Sequence, residues 1–564
     1  MKIQDTIKGL INDALTEVGV DIGDTQFVLE HPADLEHGDF ACNVAMILAK
    51  MRGENPRELA VVIRVALPEH EYMAKTEVAG PGFINFYLSK KFFADSLKEV
   101  LSSGEKWGSG EMLAGKKVMV EYTDPNPFKE IHIGHLVPNS IGVALARTAA
   151  ASGAEVREVT FQGDVGMHVA KAVYGMQKLG LNVENGFTAA DLGKAYALGA
   201  TAFEQDEVAK PEITKLNKRI FNIYTGEEVE LAELYKKGKD VSIKYFEEVY
   251  KLLGSNFEHY FFESETGKVG ERLVRENIEK VFEESNGAVV FKGEEHGLHT
   301  RVFINAQGLP TYEAKDLGLV QSKHEWWPHD TSVTVTGNEI AEYFKVVKKA
   351  AELVLPEHAD KMMGVMNGML TLKNGKMSSR TGDVIRVLDL IDDVKRVVRE
   401  RMQDADDESV MKVAVGAIKY SILKSGTNKN IVFDFNTSLS LDGDSGPYLQ
   451  YTYARCRSVL RNAGTWKRFM LRMQAPKHRL VAGEVEKLLY RFPEVVERAA
   501  SEYEPHYIAS YINELASAFN SFYAKEKILD GSETESYKLA LTNAVAQTLQ
   551  NGLNLLGVEV LERM

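Results

Sequence analysis

Two imidazoles three residues apart, His132 and His135, lie in the segment His132-Ile133-Gly134-His135. The preceding run, KKVMVEYT (Lys116–Thr123), has the apolar texture of a buried strand. The following run, LVPNSIGVALARTAAASG, is helical in texture and ends at Gly153, a residue suited to a helix C-cap. A loop between a strand end and a helix start faces free backbone N–H groups and partial positive charge, which favour phosphate. Two imidazoles at this spacing share one face of that turn and can bind phosphate oxygens. Gly134 leaves room for a nucleotide against the backbone, and Lys129 adds a fixed charge nearby. Taken alone, an H-x-x-H pair also reads as two satisfied loop histidines or half a metal site.

A second candidate lies some 240 residues downstream, in Lys376-Met377-Ser378-Ser379-Arg380. Gly375 and Gly382 flank it, and its lysine, arginine and hydroxyls can close over a triphosphate. A third is a basic stretch between Tyr451 and Leu480: Arg455, Arg457, Arg461, Lys467, Arg468, Arg472, Lys477 and Arg479, with no acid among them. Tyr448, Tyr451, Tyr453, Trp466 and Phe469 are interleaved, a pattern suited to a phosphate backbone with stacked bases. GEMLAGKK (Gly110–Lys117) nearly fits a nucleoside-triphosphate P-loop. Lys117 stands where a hydroxyl should ligate magnesium, and a strand pattern follows where a helix should. No G-x-G-x-x-G opens the unit, so a dinucleotide dehydrogenase is unsupported.

The elements that must hold these residues follow from pattern. Ile3, Ile7, Leu10, Ile11 and Leu15 have helical period, and PGFINFYLS (Pro81–Ser89) alternates as a strand. SSGEKWGSGEMLAG (Ser102–Gly115) has the composition of a linker. Lys116–Gly163 reads strand, loop, helix, strand, a βαβ unit that implies a parallel, doubly wound sheet. Residues from about Gly175 to Gly297 are charged and helical in texture and read as an insertion. Strand texture returns at TRVFIN and SVTVTG, and beyond about Val384 the chain reads as helical, interrupted at SLSLDGDSGP. The expected units are residues 1–110, 111–440 and 441–564, the second carrying the insertion at about 175–297 and a helical stem after about 384.

The 564 residues, 44% hydrophobic and 26% charged, are those of an ordinary globular protein. At about 150 residues per domain they suggest three or four domains. Only Cys42 and Cys456 are present, which excludes a thiolate zinc cage or a disulfide framework built from this chain. No run approaches the roughly 20 apolar residues of a membrane span. Acids at Asp5, Asp13 and Glu17 stand where a secretory signal has a basic start and an apolar core, so a cytoplasmic location is expected. The net charge of −14 argues weakly against nucleic acid, but the average conceals the basic stretch.

Together the two nucleotide motifs resemble the signatures of class I aminoacyl-tRNA synthetases, and the detail is similar to the arginyl-tRNA synthetase family. EYTDPNPFKEIHIGHL (Glu121–Leu136) resembles that family's E-x-S-P-N-x-x-K-x-x-H-x-G-H segment, departing from it at Thr123-Asp124. FQGDVGMH resembles its G-D-x-G turn, Gly416–Arg461 its entry to the helical domain, and GDFACNVAM and PGFINFYLS its N-terminal domain. The resemblance implies an α/β, Rossmann-like doubly wound catalytic domain, with an α/β N-terminal tRNA-binding domain and an all-α anticodon-binding domain. It implies ATP-dependent activation of L-arginine and transfer to tRNA(Arg), with Mg2+ on the phosphates and no protein-caged metal, by a monomer without a membrane partner. The roles it implies are ATP binding by His132, Gly134, His135, Lys376, Met377 and Ser378, with Lys129 and Lys376 neutralising the phosphates. Ser379 replaces the second lysine of the family's usual K-M-S-K-S, and Lys129 is implied to compensate. Tyr312 and Asp316 would take the arginine side chain, and Glu121 and Asn126 its α-amino and carboxylate end. Phe83, Asn85, Tyr448, Tyr451 and Arg455 would contact tRNA. Another class I synthetase, a small adenylyl-transferase with the same nucleotide signature and a non-catalytic tRNA-binding paralogue are the alternatives.

Overall fold

In the computed structural model, residues 3–20, 26–223, 226, 228–373, 385–464 and 482–564 are described. Alternating apolar residues make an N-terminal antiparallel sheet of β1 (Leu29–Glu30), β2 (Phe40–Cys42), β3 (Met73–Ala79) and β4 (Phe83–Leu88), in the order β1-β2-β4-β3. The helix Ile3–Glu17 buries Ile3, Ile7, Ile11 and Leu15 in a core with Phe40, Ile84 and Phe86, as its period predicts.

The apolar run after Lys116 becomes β5 (Lys117–Glu121), so the near P-loop runs into a strand and not a helix. With β6 (Glu155–Gln162), β7 (His259–Phe262), β11 (Thr331–Gly337) and β12 (Met362–Asn367) it forms an all-parallel sheet ordered β12-β11-β5-β6-β7. The helix Leu136–Ala151 joins β5 to β6 and is buried on nearly every face, between the sheet and the C-terminal helices. A small antiparallel sheet, β8 (Glu283–Ser285), β9 (Ala288–Phe291) and β10 (Arg301–Ile304), stands beside it. A two-stranded parallel pair, β13 (Leu370–Leu372) with β14 (Ile431–Phe433), breaks the otherwise helical chain beyond Ile385.

Two expectations need correction. The stretch 175–297 is not wholly an insertion: it holds β7, an edge strand of the main sheet, and the helix Glu263–Glu276 behind it. His259–Phe262 is four residues long with charged flanks, too short for its period to register. The added helices are Ala189–Gln205, Ala209–Ile223 and Ala232–Leu253. Nor is Ser102–Gly115 a loose linker. The Asn551 side chain donates to the carbonyls of Gly104 (2.9 Å) and Trp107 (2.8 Å), and Trp107 is buried. The helix Lys90–Ser103 packs on Glu535–Leu555. Tyr490 completes the N-terminal core against Phe40 and Phe92, and His31 Nε2 lies 3.0 Å from Glu494. The partners that tie this segment down lie hundreds of residues away, where composition carries no sign of them.

One close contact positions the site. The helices Glu263–Glu276 and Tyr312–Trp326 cross through Gly270 and Gly318, where a Cβ on Gly318 would lie 2.0 Å from the Thr266 carbonyl oxygen. Backbone cannot yield as a flexible side chain can. Gly318→Ala is expected to cost about 1–3 kcal/mol, lower the thermal midpoint, and displace Asp316, two residues away. Thermal scanning read beside ligand affinity checks both effects.

Candidate functional site

β5 lies between β6 and β11, where the strand order reverses, and in such sheets ligands bind beyond the carboxyl ends of the strands. The loop leaving β5 is held in an uncommon conformation: Thr123, Asp124 and Phe128 have φ of +77°, +45° and +68°. Each is a departure that surrounding structure must hold. Asn139 Nδ2 donates to Thr123 Oγ1 (3.0 Å), Asp124 Oδ1 accepts from the Phe161 amide (2.7 Å), and the Phe128 amide donates to Ser242 Oγ (2.8 Å). Phe128 is buried against Tyr235 and the bare face of Gly238, so the added helices clamp this loop.

His132 and His135 come together with ring centroids 3.9 Å apart. The Gly134 amide donates to His132 Nδ1 (3.1 Å) and the His132 amide to His135 Nδ1 (3.2 Å). His132 Nδ1 accepts from an amide and carries no proton, so in that neutral ring Nε2 bears the N–H, whereas His135 Nδ1 lies 3.2 Å from both the His132 amide and the His132 carbonyl oxygen and either ring nitrogen can bear its proton. Burial, with the nearby Lys129 charge, lowers the His132 pKa; burial and the facing His132 push His135 down to about 3. Near neutral pH the pair is two uncharged N–H donors at the start of a buried helix. Lys129 sits with Nζ 4.3 Å from the centre of the Tyr196 ring, a contact supplied by the helix Ala189–Gln205. Lys376, Met377 and Ser378 lie outside the described residues. The chain just after them is fixed: the Ile133 amide donates to Ile385 O (2.9 Å) and the Val387 amide to Ile131 O (3.0 Å). Arg386 pairs with Glu130 at 3.0 Å.

Beside this loop is a cavity of about 480 Å³ whose lining includes Glu121, Asp124, Asn126, Gly163, Glu263, Tyr312, Asp316, Lys323 and Tyr343. Asp316 Oδ2 accepts from the Tyr343 hydroxyl at 2.6 Å. Burial and the charges of Glu121 and Glu263 outweigh this bond and Lys323, and push the Asp316 pKa up to about 7. Glu121 is buried with Lys323 Nζ at 2.8 Å, and Glu263 with Lys315 Nζ at 2.6 Å. Burial raises Glu263 and raises Asp124 well above the usual carboxylate range. Asn126 Oδ1 and Glu263 Oε1 both front Gly163, where a Cβ would lie 2.2 Å and 3.2 Å from them. Tyr312 is exposed at the cavity's edge. A lining of four carboxyl groups with Lys323 as its lysine suits a ligand with cationic groups.

Sequence reading did not find Glu263, Lys315, Lys323, Tyr343 or Asp124 as members of this set. Asp164 of the G-D-x-G turn is a structural anchor, accepting from Ser264 N and Oγ and from Lys239 at distances of 2.7–2.9 Å. The other sequence candidates lie apart. Phe83 is half-buried and Asn85 buried on β4. Tyr448, Tyr451 and Arg455 share one face of the helix Gly446–Asn462. Asn520 Nδ2 donates to Tyr448 Oη at 3.0 Å, Asn520 Oδ1 accepts from Arg455, and the guanidinium lies 4.8 Å from the Tyr451 ring centre and 5.3 Å from Tyr523. Lys467, Arg468, Arg472, Lys477 and Arg479 lie outside the described residues.

Three family profiles match the chain. Arginyl tRNA synthetase N terminal domain matches residues 5–88, tRNA synthetases class I (R), catalytic domain, 96–435, and DALR anticodon binding domain, 449–564. The arginine–tRNA ligase of Treponema denticola is 31% identical over 100% of this chain and 98% of its own. That of Clostridium kluyveri is 31% identical over 95% and 96%. The solved arginyl-tRNA synthetase of Thermus thermophilus superposes with a TM-score of 0.79 at 24% identity, covering 99% of this chain and 100% of its own. That of Plasmodium falciparum gives 0.80 at 20%, covering both chains fully. At these identities the solved structures speak to the fold. No helix among the described residues is long and apolar enough to cross a membrane.

Proposed function

The chain belongs to the arginyl-tRNA synthetase family, and from that membership we infer that the crevice beyond β5, β6 and β11 is where arginine and ATP meet. The activity is that of an arginine–tRNA ligase. The arginine carboxylate attacks the α-phosphorus of ATP; the new O–P bond gives arginyl-adenylate as the bond to the β-phosphate breaks and pyrophosphate leaves. A hydroxyl of the terminal adenosine of tRNA(Arg), the 2′-OH in class I enzymes, then attacks the activated carbonyl and AMP leaves. No side-chain nucleophile is needed, so catalysis rests on positioning and charge. The observation that carries the residue assignment is the cavity itself, acidic at the end of a strand whose following loop presents two neutral imidazole donors.

His132 and His135 donate Nε2–H to the phosphates, and Gly134 leaves the nucleotide room. Lys129 and Lys376 neutralise the departing pyrophosphate, with Met377 and Ser378 at the nucleotide. Mg2+ would supply further charge neutralisation while held by phosphate oxygens; Glu130, the acid nearest the loop in sequence, is already taken by Arg386. Asp316 and Tyr312 receive the guanidinium. Glu121 interacts with Asp316 and pairs with Lys323, which supports a place at the side-chain end in preference to the α-amino end expected from sequence. Asn126 and Glu263, fronting Gly163, take the α-ammonium. For tRNA, Phe83 offers a stacking face with Asn85 behind it, and the Tyr448–Tyr451–Arg455 face takes the anticodon, joined by Asn520 and Tyr523. A monomer acting in the cytoplasm is the form proposed for it, as the family resemblance implies.

The test is aminoacylation of total tRNA with each amino acid in turn, with ATP and Mg2+. Charging by arginine alone is expected. Charging by another amino acid would overturn the roles of Asp316 and Tyr312, and tRNA retention without charging would point to a binding protein.

Because burial pushes the Asp316 pKa up to about 7 and a guanidinium requires its carboxylate, arginine binding is expected to release protons below that pH. Affinity falls as pH drops through 7, by up to about tenfold per unit. Calorimetry in two buffers of different ionisation enthalpy counts the protons; none released at pH 6 would remove Asp316 from the contact.

A further inference from the structure

We propose that Lys323 sets amino-acid specificity: its ammonium fills, from beneath, the cation position beside Glu121, so a substrate ammonium finds that position taken while a guanidinium bridges the remaining face of Glu121 to Asp316. The inference rests on assigning this cavity to the arginine side chain.

Lys323 stands seven residues after Asp316 on the helix Tyr312–Trp326, two turns along the same face. Its Nζ lies 2.8 Å from Glu121 Oε2, 3.1 Å from Ser332 Oγ and 3.4 Å from Thr334 Oγ1. Of the three donors of the ammonium, two meet hydroxyls of β11, while Glu121 of β5 stands at ion-pair distance with its Oε2 accepting no hydrogen bond. The side chains of the pair are 6% and 4% exposed, so this is a buried ion pair in the wall of the cavity. Such a pair is a poor device for stability, since well-packed apolar residues often serve as well. Its physical effect is on charge. The groups facing Asp316 are Glu121, Glu263, Lys323 and Tyr343, with Asp124 and Lys315 behind them. Glu121 with Lys323 and Glu263 with Lys315 are each balanced, which leaves Asp316 as the carboxyl that ionises to meet the guanidinium. Without Lys323 the Glu121 carboxylate stands unbalanced, a position that the point-like ammonium of lysine can occupy. A planar guanidinium has five donors in a fork and can span two carboxylates, whereas an ammonium competes for the single position already filled.

The experiment measures kcat/KM for charging with arginine and with lysine in the intact enzyme, Lys323→Met and Lys323→Ala. In Lys323→Met the arginine-to-lysine ratio is expected to fall at least about tenfold, or 1.4 kcal/mol, through a rise in the arginine KM at little changed kcat. The acid limb of the arginine profile should move to higher pH, because a positive neighbour of Asp316 is gone. Ethylammonium added to Lys323→Ala fills the vacated site and is expected to restore the ratio. An unchanged ratio in a folded Lys323→Met overturns the proposal, as does an equal loss for both amino acids that ethylammonium does not repair. Should Lys323→Met fail to fold, the ethylammonium response of Lys323→Ala decides alone. Asp316→Asn separates the two readings: an unaltered arginine KM there removes the pocket assignment itself, whatever Lys323 does.

Discussion

Asp316→Asn raises the KM for arginine about a hundredfold and leaves the KM for ATP where it was. The substitution keeps the size of the side chain and its bond with Tyr343, and removes the charge. A hydrogen bond to a charged group contributes about 1.5–3 kcal/mol, and stranding a desolvated charge adds to that. At 1.4 kcal/mol per factor of ten, about 2.7 kcal/mol gives the hundredfold. The effect belongs to KM because the guanidinium is bound alike before and during the chemistry. Steady-state charging over a range of arginine concentrations reads it directly, and a change under threefold would refute the role. Loss of the acid limb near pH 7 should accompany it.

His135→Ala acts on the other parameter. In the proposed role the ring donates to phosphate, where charge moves as pyrophosphate departs, so its interaction would strengthen in the transition state. Removing one such preorganised donor typically costs about 10²–10³ in kcat, with the arginine KM little altered. His135→Asn, which keeps an N–H of similar reach, should recover part of the loss. The two rings are neutral at working pH, since burial holds His135 down to about 3 and lowers His132 as well. No limb in the pH profile of kcat between pH 6 and 8 should therefore belong to them. A limb there that vanishes in His135→Ala would show that an imidazolium, not a neutral donor, does the work.

How much of this was legible in the residues depends on distance along the chain. His132, Gly134 and His135 act within one turn, so their spacing alone placed them between a strand and a helix, where the structure has them. Tyr312 and Asp316 were found through a local motif, and they do line the cavity. The ion pairs were not legible. Glu121 meets Lys323 across about 200 residues and Lys315 meets Glu263 across 52. A buried lysine has the same letter as an exposed one. Composition misled at Ser102–Gly115, where small residues signal flexibility in isolation and close packing in place. β7 escaped because an edge strand of four residues is shorter than the window that reveals a period. The left-handed Thr123 had a faint sign, since it stands where the family more often has serine, but a β-branched residue gives no hint of positive φ.

The Asn551 clasp on Gly104 and Trp107, with Tyr490 seated in the N-terminal core, has a bearing on valency. The two surfaces proposed for tRNA are thereby joined through packed contacts and not through a loose linker. Once one surface is engaged, the other sees its segment at a fixed effective concentration, high for a ligand of matching span and near zero for one too short. A truncated RNA is then expected to forfeit more than the contacts it lacks, because it loses the effective concentration at the second surface.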